Sequence, residues 1–151
     1  MRYSRRVSRN DCSRAGTSLA EMLVVLTIAA VLLTLAVHPI ALALDRAAVR
    51  SATAEMATVF SLARQAAIHE RATVVVHIDS ATGSMRVTTS GTALLERQLR
   101  ATYGVQLVPT RDSMAFDAHG LGVGVANLSV VARRRRAMDT LFLSRLGRVR
   151  W

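Results

Sequence analysis

The sequence predicts an α+β chain, with one long N-terminal helix ahead of a domain of short antiparallel strands. Three observations carry this. Residues 22–44 form an apolar run broken only by Thr27, Thr34, His38 and Pro39. Residues 49–67 then repeat apolar side chains at spacings of three and four, the mark of a helix with one buried face. From residue 72 the period falls to two, and turn residues separate the short segments. At 151 residues there is room for one modest domain and an anchor.

Charge divides the chain further. All 20 basic residues are arginine, and the net charge of +10 is unevenly placed. Residues 1–16 hold five arginines against Asp11, and residues 133–151 hold seven against Asp139, while the sequence between them is neutral. The chain therefore has two basic ends rather than a generally basic character. Cys12 is the single cysteine, which excludes an internal disulfide and a cysteine metal cluster. Its context, "RNDC", lacks the apolar and small residues that precede a lipidated cysteine.

A basic run followed by an apolar run is the general pattern of export signals and membrane helices. As an ordinary cleaved signal, the segment offers Ala41-Leu42-Ala43, an A-x-A-like site just after Pro39. Its uninterrupted apolar stretch, 22–37, is 16 residues, against about 7–15 for such signals. As a plain anchor, the 23 residues of 22–44 would make a helix of about 35 Å, enough for a hydrocarbon core of about 30 Å. The arginines before it would keep the N-terminus cytoplasmic. Neither reading explains Glu21, a carboxylate at the front edge of the apolar run.

"RAGTSLAEMLVVLTIAAVLL" resembles the class III signal of type IV pilins and type II secretion pseudopilins. The resemblance rests on Gly16, the run Thr17 to Glu21 and the apolar stretch that follows. It implies that a prepilin peptidase cuts between Gly16 and Thr17, making Glu21 the fifth residue of the mature chain. It also implies N-methylation of Thr17, although the family's usual residue there is phenylalanine. Glu21 would pair with the amino terminus of a neighbouring subunit during filament assembly. A charge at the bilayer centre costs about 2.5–3.5 kcal/mol, and separating a desolvated pair about 3–5 kcal/mol, so such a pair acts as a register device.

The helix is expected to run from about 17 to 70, roughly 80 Å. Val49, Ala52, Met56, Phe60, Ala63 and Ala67 form its apolar stripe, and Pro39 would kink or loosen it without ending it. The expected strands are 73–79, 84–89, 94–99, 105–108, 114–122, 126–133, 138–144 and 147–151, with 73–89 a hairpin turning at 81–83. The domain plan is thus a cleaved basic leader (1–16), a transmembrane or filament-core helix (17–44), its amphipathic continuation (45–71) and a periplasmic β-rich domain (72–151).

"MAFDAHGLG" and the terminal "LFLSRLGRVR" resemble the GspH/FimT family of minor pilins and pseudopilins, in which a Phe-x-x-x-Gly element and a terminal Gly-Arg segment are common. The resemblance implies a pilin-like fold and a minor pseudopilin of a type II secretion system. Such a subunit belongs to a short periplasmic filament anchored in the bacterial inner membrane, with a single-pass helix and a cytoplasmic N-terminus. Its implied partners are the prepilin peptidase, other major and minor pilins or pseudopilins, and the inner-membrane assembly platform.

Arginine defines the alternative. "RRRR" (Arg133, Arg134, Arg135 and Arg136) together with Arg145, Arg148 and Arg150 could form one basic surface, and the planar guanidinium suits phosphate. A terminal Gly-Arg-x-Arg, here Gly147, Arg148 and Arg150, is associated within the resemblance with DNA binding by FimT-type minor pilins. Six arginines on phosphate would give a log–log salt slope of roughly −5. The plainer reading has "ARRRRAMD" as a solvated hairpin turn screened by Asp139, and "GRVRW" as a last strand with Val149 and Trp151 inward and Arg148 and Arg150 outward. A further alternative is a secreted or anchored globular protein with an ordinary signal. His77 and Asp79, and Asp117 and His119, read as surface chemistry rather than catalytic dyads. No GxSxG, HExxH or phosphate-binding loop is present, so the expectation is a non-enzymatic protein without a cofactor or metal.

Overall fold

The computed structural model describes residues 18–124 and 127–151; the basic leader, Cys12 and the Gly16–Thr17 junction lie outside them. The chain divides into two units, Met1–His38 and Pro39–Trp151. One helix, α1 (Leu19–Glu70), contributes to both and continues through Pro39.

Within the first unit α1 is an apolar helix long enough to cross a membrane, by length and composition. Large aliphatic side chains from Leu19 to Leu33 are exposed around its circumference. Its two hydroxyls bond back to the helix itself. Thr27 Oγ1 donates to the Val24 carbonyl at 2.8 Å and Thr34 Oγ1 to that of Val31 at 2.7 Å. Neither threonine then needs water, which removes the cost of placing it among hydrocarbon.

In the second unit the remainder of α1 meets the strands through its apolar face. Val49, Ala52, Met56, Phe60, Ala63 and Ala67 are all buried, as the spacing predicts, while Arg46 and Arg50 are exposed. Two antiparallel sheets close over this face. In chain order the elements are β1 (Val74–Asp79), β2 (Ser84–Thr89), β3 (Thr92–Gln98), α2 (Leu99–Tyr103), β4 (Gln106–Pro109), β5 (Ser113–Phe116), β6 (Gly122–Val123), β7 (Leu128–Arg134), β8 (Ala137–Leu143) and β9 (Val149–Arg150). The first sheet runs β3-β2-β1-β5-β6 and the second β4-β7-β8-β9. All pairings are antiparallel. The inward residues of both sheets, among them Val74, Val76, Phe116, Leu128, Val130 and Leu141, join the helix residues in one core.

Three expected elements differ. Leu99 opens the short helix α2 instead of ending a strand, because the Gly83 carbonyl accepts the Arg100 N–H at 3.1 Å and turns the chain away from β3. Segment 114–122 is two strands, β5 and β6, separated by a turn on Asp117. Asp117 Oδ1 accepts the His119 and Leu121 N–H groups, both at 2.9 Å. The last strand is only Val149–Arg150, so Trp151 lies beyond it and is 66% exposed rather than in the core; Val149 alone packs inward.

Candidate functional site

The N-terminal candidates begin at the edge of the described residues. Gly16 and Thr17 lie outside them, whereas Glu21 stands in the first turn of α1. The Ser18 carbonyl accepts the Glu21 N–H at 2.9 Å and the Met22 N–H at 3.2 Å. An acidic residue here complements the helix dipole, a local stabilisation of about 0.3–1 kcal/mol. The carboxylate is exposed and has no hydrogen-bond or ion-pair partner among the described residues.

Sheet register divides the seven arginines into two separate groups. β7 and β8 form a hairpin whose turn is Arg135–Arg136, with Arg134 opposite Ala137. β9 joins the opposite end, where Arg150 faces Phe142. The six residue steps from Arg136 to Phe142 span roughly 20 Å of strand at about 3.4 Å each. The tetra-arginine turn and the Arg148–Arg150 segment are thus not one basic surface.

At the turn, two of the arginines are already committed. Along β7 the buried positions are Leu128, Val130 and Ala132, and Arg134 continues that inward series. Its guanidinium therefore enters the fold beneath the sheet, where burial requires a counter-charge. Asp45 of α1, only 5% exposed, supplies it, with Arg134 Nε 2.9 Å from Oδ1 and Arg135 Nη1 3.7 Å from Oδ2. Arg134 Nη1 also donates to the Tyr103 carbonyl at 2.6 Å. The screening expected of Asp139 comes instead from Asp45, which is remote in sequence; Asp139 Oδ1 accepts the Thr140 N–H. Arg133 and Arg136 remain exposed.

At the other end a groove of about 800 Å³ opens between the β4–β5 loop and strands β7 to β9. Arg148 and Arg150 line it together with Arg111, which the sequence did not single out; Arg145 does not. Phe142, Leu143 and Leu146 supply apolar wall, and no aspartate or glutamate is among its lining side chains. The loop that delivers Arg148 is held by its own backbone. Gly147 N–H donates to the Ser144 carbonyl at 2.9 Å, Ser144 N–H to the Arg148 carbonyl at 3.0 Å, and Arg148 N–H to Ser144 Oγ at 3.2 Å.

The two glycines that carry the family resemblance meet at one side chain. A Cβ on Gly147 would lie 3.0 Å from Arg64 Cδ and 3.3 Å from the Gly120 carbonyl oxygen. One on Gly120 would lie 3.0 Å from Arg64 Nε. Both glycines also have positive φ, 72° and 70°. Arg64, from the helix, therefore packs against both loops, and its buried Nε has no hydrogen-bond partner among the described residues.

The histidine–carboxylate pairs are turn chemistry. Asp79 accepts from Thr82 Oγ1 at 2.8 Å and from the Ala81 N–H at 2.8 Å, and the Thr82 bonds hold its carboxyl below the usual range. Asp117 is likewise lowered, chiefly by the Leu121 N–H; His119 Nδ1 lies 3.8 Å from its other oxygen, at an exposed position.

No family model and no curated protein matches the sequence. The fold, however, is pilin-like, one long N-terminal helix packed on antiparallel sheets. It is shared with the type IV minor pilin FimU of Pseudomonas aeruginosa strain PAO1, at a TM-score of 0.59 and 17% identity over 70% of this chain and 89% of that one. A second crystal form of FimU superposes at 0.55, with 16% identity over 67% and 90%. The minor pseudopilin EpsH from the type 2 secretion system of Vibrio cholerae does so at 0.51, with 13% identity over 68% and 94%.

Proposed function

We propose that this chain is a non-catalytic minor subunit of a pilin-type filament, in a type II secretion system or a type IV pilus. The observation that carries the reading is Glu21, a carboxylate that has no partner among the described residues, in the first turn of an exposed apolar helix. The described residues of this chain satisfy neither feature. A membrane followed by a bundle of neighbouring helices would satisfy them, the apolar face by burial and the carboxylate by a partner's new amino terminus. The likeness to FimU and EpsH supports the scaffold needed for that role.

In this reading residues 1–16 are removed by prepilin peptidase after Gly16. Residues 17–44 span the inner membrane and later enter the filament core, 45–71 continue the helix, and 72–151 form the periplasmic domain. The partners are the peptidase, the other pilins or pseudopilins and the assembly platform. The test is the N-terminal sequence of protein recovered from membranes that contain the native peptidase. A chain beginning at Thr17 is the expected result; one beginning at Leu44 and released as soluble protein overturns the reading. The major subunit that co-purifies then assigns the filament to secretion or to a pilus. The alternative on the same scaffold, sequence-independent retention of DNA, would have to rest on Arg148 and Arg150, because Arg134 and Arg135 face Asp45 at the far turn.

A further inference from the structure

We infer that the outer face of the second sheet, with the groove at its β9 end, docks an acidic segment of a partner protein. The inference goes beyond the filament reading and does not depend on it. Register places three rows of side chains on this face. Ser129, Phe142 and Arg150 form one, Val108, Val131 and Thr140 the next, and Gln106, Arg133 and Met138 the third. Opposed residues of antiparallel strands share a face, so these rows are contiguous. Val108 is 56% exposed, Phe142 57% and Met138 67%, an apolar strip that the fold leaves uncovered. Arg150 borders the strip at one end and Arg133 at the other, with Arg111 and Arg148 beside Arg150 in the groove.

Charge selects the occupant. A second copy would bring arginine against arginine in either orientation, because both ends of the strip are basic. A phosphate backbone would meet Arg148 and Arg150 in the groove and then an apolar strip with nothing to offer the next phosphates. The tetra-arginine turn does not continue the track, since Arg134 and Arg135 face Asp45 and Arg133 and Arg136 lie a strand's length from the groove. Two phosphate contacts would also give a log–log salt slope of only about −1.8. An extended segment with aliphatic or aromatic side chains between carboxylates matches both features, apolar centre on apolar strip and carboxylates on the flanking guanidinium groups.

The test immobilises the full chain in detergent and selects from a random 12-residue peptide phage library, with a labelled 20-base-pair DNA duplex measured in parallel. The expected result is enrichment of peptides with Asp or Glu flanking Leu, Ile or Phe. A synthetic peptide of that kind loses about tenfold or more affinity for the Arg148→Glu/Arg150→Glu variant. It loses about fivefold for Phe142→Ser, a neutral change on an exposed residue, and less than twofold for Arg136→Glu at the far turn. Enrichment of neutral or basic peptides, no enrichment, or binding indifferent to Arg148 and Arg150 overturns the inference. So does a duplex held through those arginines more tightly than any selected peptide, which would make the surface one for DNA.

Discussion

Arg134 and Arg133 are adjacent and chemically identical, yet strand parity gives them different work. Arg134 sits on the inward series of β7 and is 34% exposed, clamped to the buried Asp45, whereas Arg133 faces solvent. Breaking a fully buried pair costs about 3–5 kcal/mol, and partial exposure reduces that. Arg134→Ala should therefore destabilise the chain by about 2–3 kcal/mol and Arg133→Ala by less than about 0.5 kcal/mol, read from denaturant midpoints. Equal effects would mean that Asp45 is solvated. Gly147 acts through its conformation, at φ 70° against Arg64 and the Gly120 carbonyl. Gly147→Ala should cost about 1–3 kcal/mol, from the left-handed backbone together with the crowded Cβ. The same midpoint measurement checks it, and an unchanged midpoint would show that the loop relaxes freely.

Among the elements, the turns after β1 and β5 are built the same way. Each uses an aspartate to satisfy backbone N–H groups, Asp79 for Ala81 and Thr82 and Asp117 for His119 and Leu121. In each the carboxyl is held below its ordinary value by those bonds. A lowered folded pKa contributes stability that is present above the unfolded value of about 3.9 and is lost as pH falls through the folded one. Melting temperature should thus fall below about pH 4, and Asp79→Asn with Asp117→Asn should flatten that acid limb. An acid limb unchanged in the double variant would show that other carboxylates control it.

For the whole molecule, the described residues of the first unit expose their apolar side chains, whereas the second unit buries its own in a core. The filament reading predicts that Glu21→Gln leaves membrane insertion unchanged while lowering incorporation into filaments about tenfold or more, measured by shearing and immunoblot. Undiminished incorporation would remove the pairing role and leave Glu21 as a helix-dipole residue. The α+β class, the extent of the helix, its buried stripe and most strands were legible in the sequence, because periodicity records which side faces the core. The groove was not. Arg111 comes from the β4–β5 loop and Arg148 and Arg150 from residues nearly forty positions later, so the β4–β7–β8–β9 order of the sheet is what brings them together.

By itself the sequence determined the apolar helix with its leading glutamate, the change of period after residue 71 and the two basic ends. These are local properties, written in the order of neighbouring residues. Tertiary structure decided which arginines are available. Arg134 and Arg135 are bound to Asp45, about ninety residues earlier in the chain, and the turn stands a strand's length from Arg148 and Arg150. The physical reason is that net charge adds along a sequence, whereas pairing and desolvation depend on which side chains the sheet register sets face to face.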